Sequence, residues 1–340
     1  MKIDIKLLKK LCLIPSPSRN EQAIISFIIN HCYEIPNLTF ELDHYNNLFI
    51  TKNTTNPDYY ACVLAHMDQV ITHKSPFGIS IHNGVISGYH KSDKTPCSLG
   101  LDDKIGICIA LQLLKELPNL KVVFTTEEEM GAIGAREATT NVDFLNNVRY
   151  FLQADRKGCS DFITFTNGLN VASPEFVTDV FPIMQRYGYS QNAGTLTDVG
   201  EFCEELEISG CNLSCGYYLQ HSSKEYGILD QMTNCLNLME EIIRTLPEDK
   251  VYELEVVSPY KYTYPSEDDP YGLYRQYTGY DYDFEWTPEE QAWENYNNAC
   301  LKAESEQVSD DSQEKFVYGD IPCDHCENWD CMNCKHLNDF

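Results

Sequence analysis

Short apolar runs closed off by polar residues alternate along this chain with longer stretches in which apolar positions recur every three or four residues. The first pattern reads as strands buried on both faces, the second as amphipathic helices. Helices are expected over 3–12 and 20–32. Between them lies Ile14-Pro15-Ser16-Pro17-Ser18, where two prolines rule out a continuous helix. Ser18 reads as the N-cap of the second helix, with Glu21 completing a capping box. Strands are expected at 38–42 and 48–52 around an Asn46-Asn47 turn, and at 60–66. A hairpin over 79–90 turns at Asn83-Gly84. Gly100-Leu101-Asp102-Asp103 turns into a helix over 104–117, ended by Pro118. Further strands fall at 121–126, 149–154, 160–165 and 210–218, and helices at 131–137 and 228–246. No internal repeat is present. This alternation predicts an α/β three-layer sandwich: a central mixed, mostly parallel sheet with helices on both faces.

The composition sets limits on what such a fold does. Of 340 residues, 43% are apolar and 23% charged, so a sizeable core is expected. Acidic residues number 52 against 25 basic, a net charge of −27. A body that acidic repels phosphate, which excludes nucleic acid and anionic membranes as expected partners. No apolar run is long enough to span a bilayer. The 15 cysteines are odd in number and mostly dispersed, and the opening residues lack the layout of a secretion leader. A cytoplasmic protein with reduced thiols is therefore expected.

The charge is not evenly spread. Residues 248–340 hold 23 acidic and 6 basic side chains, all three tryptophans and half of the 22 tyrosines. A boundary is placed there, giving a first domain over 1–247 and an acidic, Tyr/Trp-rich extension over 248–340. Thr287-Pro288-Glu289-Glu290 starts a helix over 288–306. The tyrosines ahead of it call for a covering surface, either a protein partner or a second copy of the chain. Near the end, Cys323-x2-Cys326-x4-Cys331-x2-Cys334 has the paired chelating turns of a structural metal knuckle. Its linker is short for a zinc ribbon, so reduced or redox-active thiols stay open as the alternative.

Chemistry gathers just after the strands. His66-Met67-Asp68 follows the strand at 60–66, and Glu127-Glu128-Glu129 the one at 121–126. Asp155 follows the strand at 149–154, and His221 the one ending at 218. Asp102-Asp103 sits at the turn into a helix. Ligands of open α/β sheets bind beyond the carboxyl ends of the strands. Singly, each of these residues has an ordinary explanation: Asp-Asp as a helix cap, the glutamates as an exposed acidic helix start. Together they point two imidazoles and several carboxylates at one region, and three adjacent glutamates at a buried strand end call for a cation. The donor set suits zinc, and five ligands suit two ions sharing one carboxylate.

In these segments the sequence resembles the co-catalytic di-zinc exopeptidases, a superfamily that includes leucyl and glutamyl aminopeptidases, tripeptidases and glutamate carboxypeptidases. The matching stretches are Ala65-His66-Met67-Asp68, Gly100-Leu101-Asp102-Asp103-Lys104-Ile105-Gly106, Glu128-Glu129-Met130-Gly131, Asp155 and Tyr218-Leu219-Gln220-His221-Ser222. The resemblance spans roughly 1–247 and implies a role for each position. Asp102 would bridge two zinc ions through a cis Asp102–Asp103 peptide. His66 and Asp155 would hold one ion, and Glu129 and His221 the other. Glu128 would be the general base, with an assignment shifted by one onto Glu127 still open. Asp68 would orient the His66 ring, and Asp198, in Gly194-Thr195-Leu196-Thr197-Asp198, would stand on the substrate side. Only 65 residues separate Asp155 from His221, and 35 separate His66 from Asp102. That leaves no room for a large inserted lid and favours the compact leucyl branch. The implied activity is removal of N-terminal residues from peptides. A deacylase acting on a small amide, or a silent binding protein of the same fold, is the alternative.

Overall fold

The computed structural model describes residues 1–73 and 75–255. The expected helix over 288–306, the tyrosine-rich stretch and Cys323, Cys326, Cys331 and Cys334 lie outside the described residues.

In chain order the elements are α1 (Ile5–Cys12), α2 (Gln22–Cys32), β1 (Leu38–Leu42), β2 (Leu48–Asn53), β3 (Tyr60–His66), β4 (Phe77–His82), β5 (Val85–His90), β6 (Pro96–Cys97), α3 (Leu101–Glu116), β7 (Asn119–Thr125), α4 (Ile133–Ala138), α5 (Val142–Leu145), β8 (Val148–Arg156), β9 (Asp161–Thr166), β10 (Leu169–Asn170), α6 (Pro174–Arg186), β11 (Ser190–Gly194), α7 (Asp198–Leu206), β12 (Gly210–Ser214), β13 (Tyr217–Tyr218), β14 (Tyr226–Ile228) and α8 (Leu229–Thr245). The main sheet runs β1-β2-β7-β3-β8-β12-β9-β10, with β11 also on β9. Its centre, β7-β3-β8-β12, is parallel, and its flanks are antiparallel apart from β11.

Every residue of β3 is buried, as its unbroken apolar sequence requires. Ala61, Val63 and Ala65 face a core built with α1, α2, α3, α6 and α8. Cys62 and Leu64, on alternate positions, face a second core under α4, α5 and α7. Two cores on opposite faces of one sheet make the three layers expected. A small second sheet, β13-β14-β5-β4 with β6 on β5, replaces any large lid. Among the described residues no helix is long and apolar enough to cross a membrane.

Two local expectations are corrected. The strand expected over 210–218 is broken at Gly216 (φ +91°), where a Cβ would meet Met232 N and Gln231 Cβ at 2.9 Å. β12 therefore stays in the main sheet and β13 joins the small one. Ser18 does not cap α2, whose N-cap is Glu21 without a side-chain cap bond. The Ser18 hydroxyl instead donates to Asp68 Oδ2 at 2.6 Å, a long-range tie that outweighs the local box.

Beyond residue 247 the chain still packs on this body. Tyr252 is fully buried, its ring 5.2 Å from that of Phe176 and 5.8 Å from that of Tyr150. Its N–H donates to Arg149 O at 2.9 Å and its hydroxyl to Asp179 Oδ2 at 2.8 Å. Tyr252→Ala should cost about 3–5 kcal/mol of unfolding free energy, the range for deleting a buried aromatic ring. Urea unfolding followed by tryptophan-independent far-UV dichroism checks it, and a loss below about 1 kcal/mol would contradict this packing.

Candidate active site

Parallel pairing aligns the strand ends that carry the chemistry. His66 closes β3 opposite Thr125, the last residue of β7. On the other side β3 is in register with β8, Leu64 facing Gln153, which carries Asp155 alongside His66. The loop after β7 supplies Glu128 and Glu129, and α3 supplies Asp102 and Asp103 from its first turn. That turn is distorted: Gly100 precedes it at φ +65°, Asp102 and Asp103 lie outside helical geometry, and the peptide between them is cis. His221 comes from the turn between β13 and β14, at φ +54°.

The side chains converge. His66 Nε2 lies 2.9 Å from Asp102 Oδ1, 3.7 Å from Asp155 Oδ1 and 4.0 Å from Glu128 Oε2. His221 Nε2 lies 3.2 Å from Asp102 Oδ2 and 3.0 Å from Glu129 Oε1. Asp102 thus faces one histidine with each oxygen. Asp102, Glu129 and His221 form one group whose donor atoms lie within 4.8 Å of one another; His66, Asp103 and Asp155 form another, and His66, Glu128 and Glu129 a third. Asp103 is a member the sequence reading did not assign. Its Oδ1 accepts from Gly106 N at 2.8 Å, while its buried Oδ2 has no hydrogen-bond partner among the described residues. Gly106 is needed there: a Cβ would sit 2.3 Å from that Oδ2.

Asp68 ties the strand ends together. Its carboxylate stands 3.3 Å from His66 Nδ1, with its own carbonyl oxygen 3.1 Å from the same nitrogen. It also accepts from Glu128 N at 3.0 Å, Glu129 N at 3.2 Å and the Ser18 hydroxyl. The segment after α1 buttresses this loop: Ser16 O accepts from Gln69 N at 2.9 Å, and the Ser16 hydroxyl receives the buried Lys104 ammonium. Glu127 points elsewhere, with Oε2 3.3 Å from Arg19 Nε and φ at +51°. Asp198 is fully buried in the first turn of α7, and its Oδ2 accepts from the Thr125 hydroxyl.

Electrostatics single out the same group. Burial, and then the neighbouring carboxylates, push Asp103, Glu128 and Asp155 well above the carboxylate range, and Glu129 rises for the same reasons. Burial pushes Asp198 up to about 7. Burial alone would push His66 and His221 down, but Asp155 and Asp102 beside the first, and Glu129 and Asp102 beside the second, carry both well up. Burial would raise Asp102 too, yet its bonds to the two imidazoles hold it below its usual value. A buried set of acids whose charged forms are disfavoured by burial and mutual repulsion is one that cations would relieve. Nitrogen and oxygen donors, with an unpartnered Asp103 oxygen among them, fit divalent ions.

Glu225 was not legible as part of this site. It is buried, and its carboxylate accepts from Ser98 Oγ at 2.9 Å, Leu99 N at 2.7 Å and Leu101 N at 3.2 Å. It thereby fixes the turn that delivers Asp102. Glu225→Gln, which cannot accept all three bonds, should weaken metal retention by roughly 10–100-fold, the range for partners that orient metal ligands. Competition of the loaded protein with a chelator measures this, and an unchanged affinity would remove Glu225 from the site.

A family model described as M42 glutamyl aminopeptidase matches residues 87–180. A search of curated proteins gives no match. Among solved structures, a tripeptidase from Staphylococcus aureus is similar at 17% identity, covering 71% of this chain and 96% of that one, with a TM-score of 0.57. The aminopeptidase PepT from Bacillus cereus is similar at 14% identity, with 72% and 99% covered and a TM-score of 0.57. The TET1 peptidase of Pyrococcus horikoshii, which assembles into a tetrahedron or a large octahedral shell, is similar at 17% identity, with 70% and 98% covered and a TM-score of 0.51. At these identities the structures carry the fold. With the family model they bear out the resemblance to the co-catalytic exopeptidases read from the strand-end motifs. The matching model is described as glutamyl, whereas the segment lengths favoured the leucyl branch; the stretch between His66 and Asp102 holds β4, β5 and β6.

Proposed function

We propose that this chain is a metal-dependent aminopeptidase that removes N-terminal residues from peptides, with two divalent ions, zinc by donor chemistry, held by His66, Asp102, Glu129, Asp155 and His221. The observation that carries the reading is Asp102 set between two imidazoles, one oxygen on each, with Glu128 beside them. Ions bound there would acidify a water and polarise the scissile carbonyl. Glu128, as the carboxylate beside that site, would take a proton from the attacking water and deliver it to the leaving nitrogen. Asp68 holds the His66 ring and the Glu128–Glu129 backbone in place, and Asp103 adds negative charge beside Asp155. The acidic surroundings select a substrate with a free, positively charged amine. The M42 match likewise favours an aminopeptidase over a small-amide deacylase.

The same proposal includes the cytoplasm as its setting, self-association as in the TET1 peptidase, and a further structural zinc at Cys323, Cys326, Cys331 and Cys334. Matched pairs of peptides test the activity. Free-amine peptides and aminoacyl anilides should be cleaved by metal-loaded protein, and their N-acetylated counterparts should not. Cleavage confined to the acetylated set would replace the aminopeptidase with the deacylase.

A further inference from the structure

A second group of side chains of metal-ligating type lies outside the carboxylate cluster. His73, His90 and Cys97 each present one donor atom, and these atoms lie within 4.8 Å of one another. They come from three separate pieces of chain: the connector after β3, the last residue of β5, and β6. The small sheet explains why they meet. Gly88 pairs with Cys97 across β5 and β6, and His90, two residues along, points to the same face. Gly88 leaves room for this: a Cβ there would lie 3.0 Å from Cys97 Sγ and 2.4 Å from its carbonyl oxygen. The His73 ring stands edge-on to that of His90 at 5.2 Å and lies 5.1 Å from the Phe77 ring.

Two further features suit a ligand. His73 Nε2 is 2.7 Å from Ser98 O. That carbonyl is an acceptor only, so the proton must be on Nε2, which leaves the Nδ1 lone pair for a cation. Metal-bound histidines are held in this way. His90 Nδ1 is buried with no hydrogen-bond partner among the described residues, a cost that a bound ion would remove. Cys97 is fully buried.

We propose that His73, His90 and Cys97 bind a borderline-soft divalent cation, zinc by donor type, as a clip separate from the hydrolytic centre. On binding, the Cys97 thiol loses its proton to solvent as the sulfur–metal bond forms, and both imidazoles coordinate as neutral ligands. Two nitrogens and one thiolate make three corners of a tetrahedron. The clip would tie the chain leaving His66 to the chain entering Asp102, seven residues after the one and five before the other.

Cobalt(II) is the probe, because a thiolate ligand gives a near-ultraviolet charge-transfer band that carboxylate and imidazole ligands do not. The full-length chain is freed of metal, titrated with Co2+, and compared with Cys97→Ser, His90→Gln and His73→Gln. Each variant should bind one Co2+ fewer per chain, and the difference spectrum against the parent should show a lost thiolate band. Peptide hydrolysis by His73→Gln should be retained, which separates this site from the hydrolytic one. If Cys97→Ser fails to fold, His73→Gln, on the connector, decides the matter by the same two readouts. Equal stoichiometry and an unchanged band in a folded variant would overturn the clip and leave an ordinary packed His–His pair beside a reduced thiol.

Discussion

Glu128→Gln should lower kcat by about 10²–10⁴-fold, the usual worth of a positioned general acid–base group. Metal content and KM should stay close to those of the parent. The amide keeps the size and the hydrogen-bonding edge of the carboxylate but cannot take a proton. Glu128 Oε2 stands 4.0 Å from His66 Nε2, beside the proposed ion site without a short bond to that histidine. Glu129 Oε1 stands 3.0 Å from His221 Nε2, the position proposed for a ligand. Glu129→Gln should therefore lower metal content along with rate, whereas Glu128→Gln should lower rate alone. Glu127→Gln is the control that decides the register: its carboxylate is engaged with Arg19, so kcat should fall less than about tenfold. Steady-state rates on a free-amine dipeptide, with metal measured on the same samples, check all three. A large loss at Glu127 with a small one at Glu128 would move the base by one residue.

Much of this site was legible because the parallel core strands are short, continuously apolar and followed at once by polar residues. β3, β7 and β8 stand out in the sequence for that reason, and His66, Glu128, Glu129 and Asp155 with them. The stretch from 166 to 209 did not stand out. β11, Ser190-Gln191-Asn192-Ala193-Gly194, is a mostly exposed edge strand with hardly an apolar side chain, so it has no pattern to read. α6 does carry a start signal, Ser173 capping Phe176 N with Pro174 next, but Pro182 interrupts its helical pattern. Asp103 and Glu225 illustrate a deeper limit. Asp103 looked like half of a cap, yet a turn outside helical geometry swings it inward. Glu225 is one carboxylate in a polar loop, and its partners are backbone N–H groups more than a hundred residues away. A sequence motif records side chains, and these two residues act through backbone geometry.

Stripping the metal should make the stability of the fold depend on pH in a direction opposite to ordinary acid unfolding. In the metal-free protein Asp103, Glu128, Glu129 and Asp155 hold protons more tightly when folded than when unfolded, because burial and mutual repulsion disfavour their charged forms. His66 and His221 are also raised, by the carboxylates around them. For all six the folded state binds more protons, so unfolding free energy falls as pH rises. Their contribution is fully present below the unfolded carboxylate values near about 4 and is lost progressively as pH climbs through the raised folded values. Asp102 and Asp68, held down in the fold, act in the other direction, but only in the acid range. Metal ions displace the protons from their ligands and remove most of this dependence. The Tm of the metal-free chain should therefore fall as pH rises above the ordinary carboxylate range while that of the zinc-loaded chain stays nearly level, so the gap widens with pH. Zinc titrated into the metal-free protein near neutrality should release protons, visible as a buffer-dependent heat in calorimetry. A gap that stays constant, with no protons released, would mean that the cluster is not where the cation binds. In that case the buried carboxylates around Asp102 would be balanced by bound protons, the His66 and His221 imidazoles and Lys104 alone, and the hydrolytic reading would have to be abandoned.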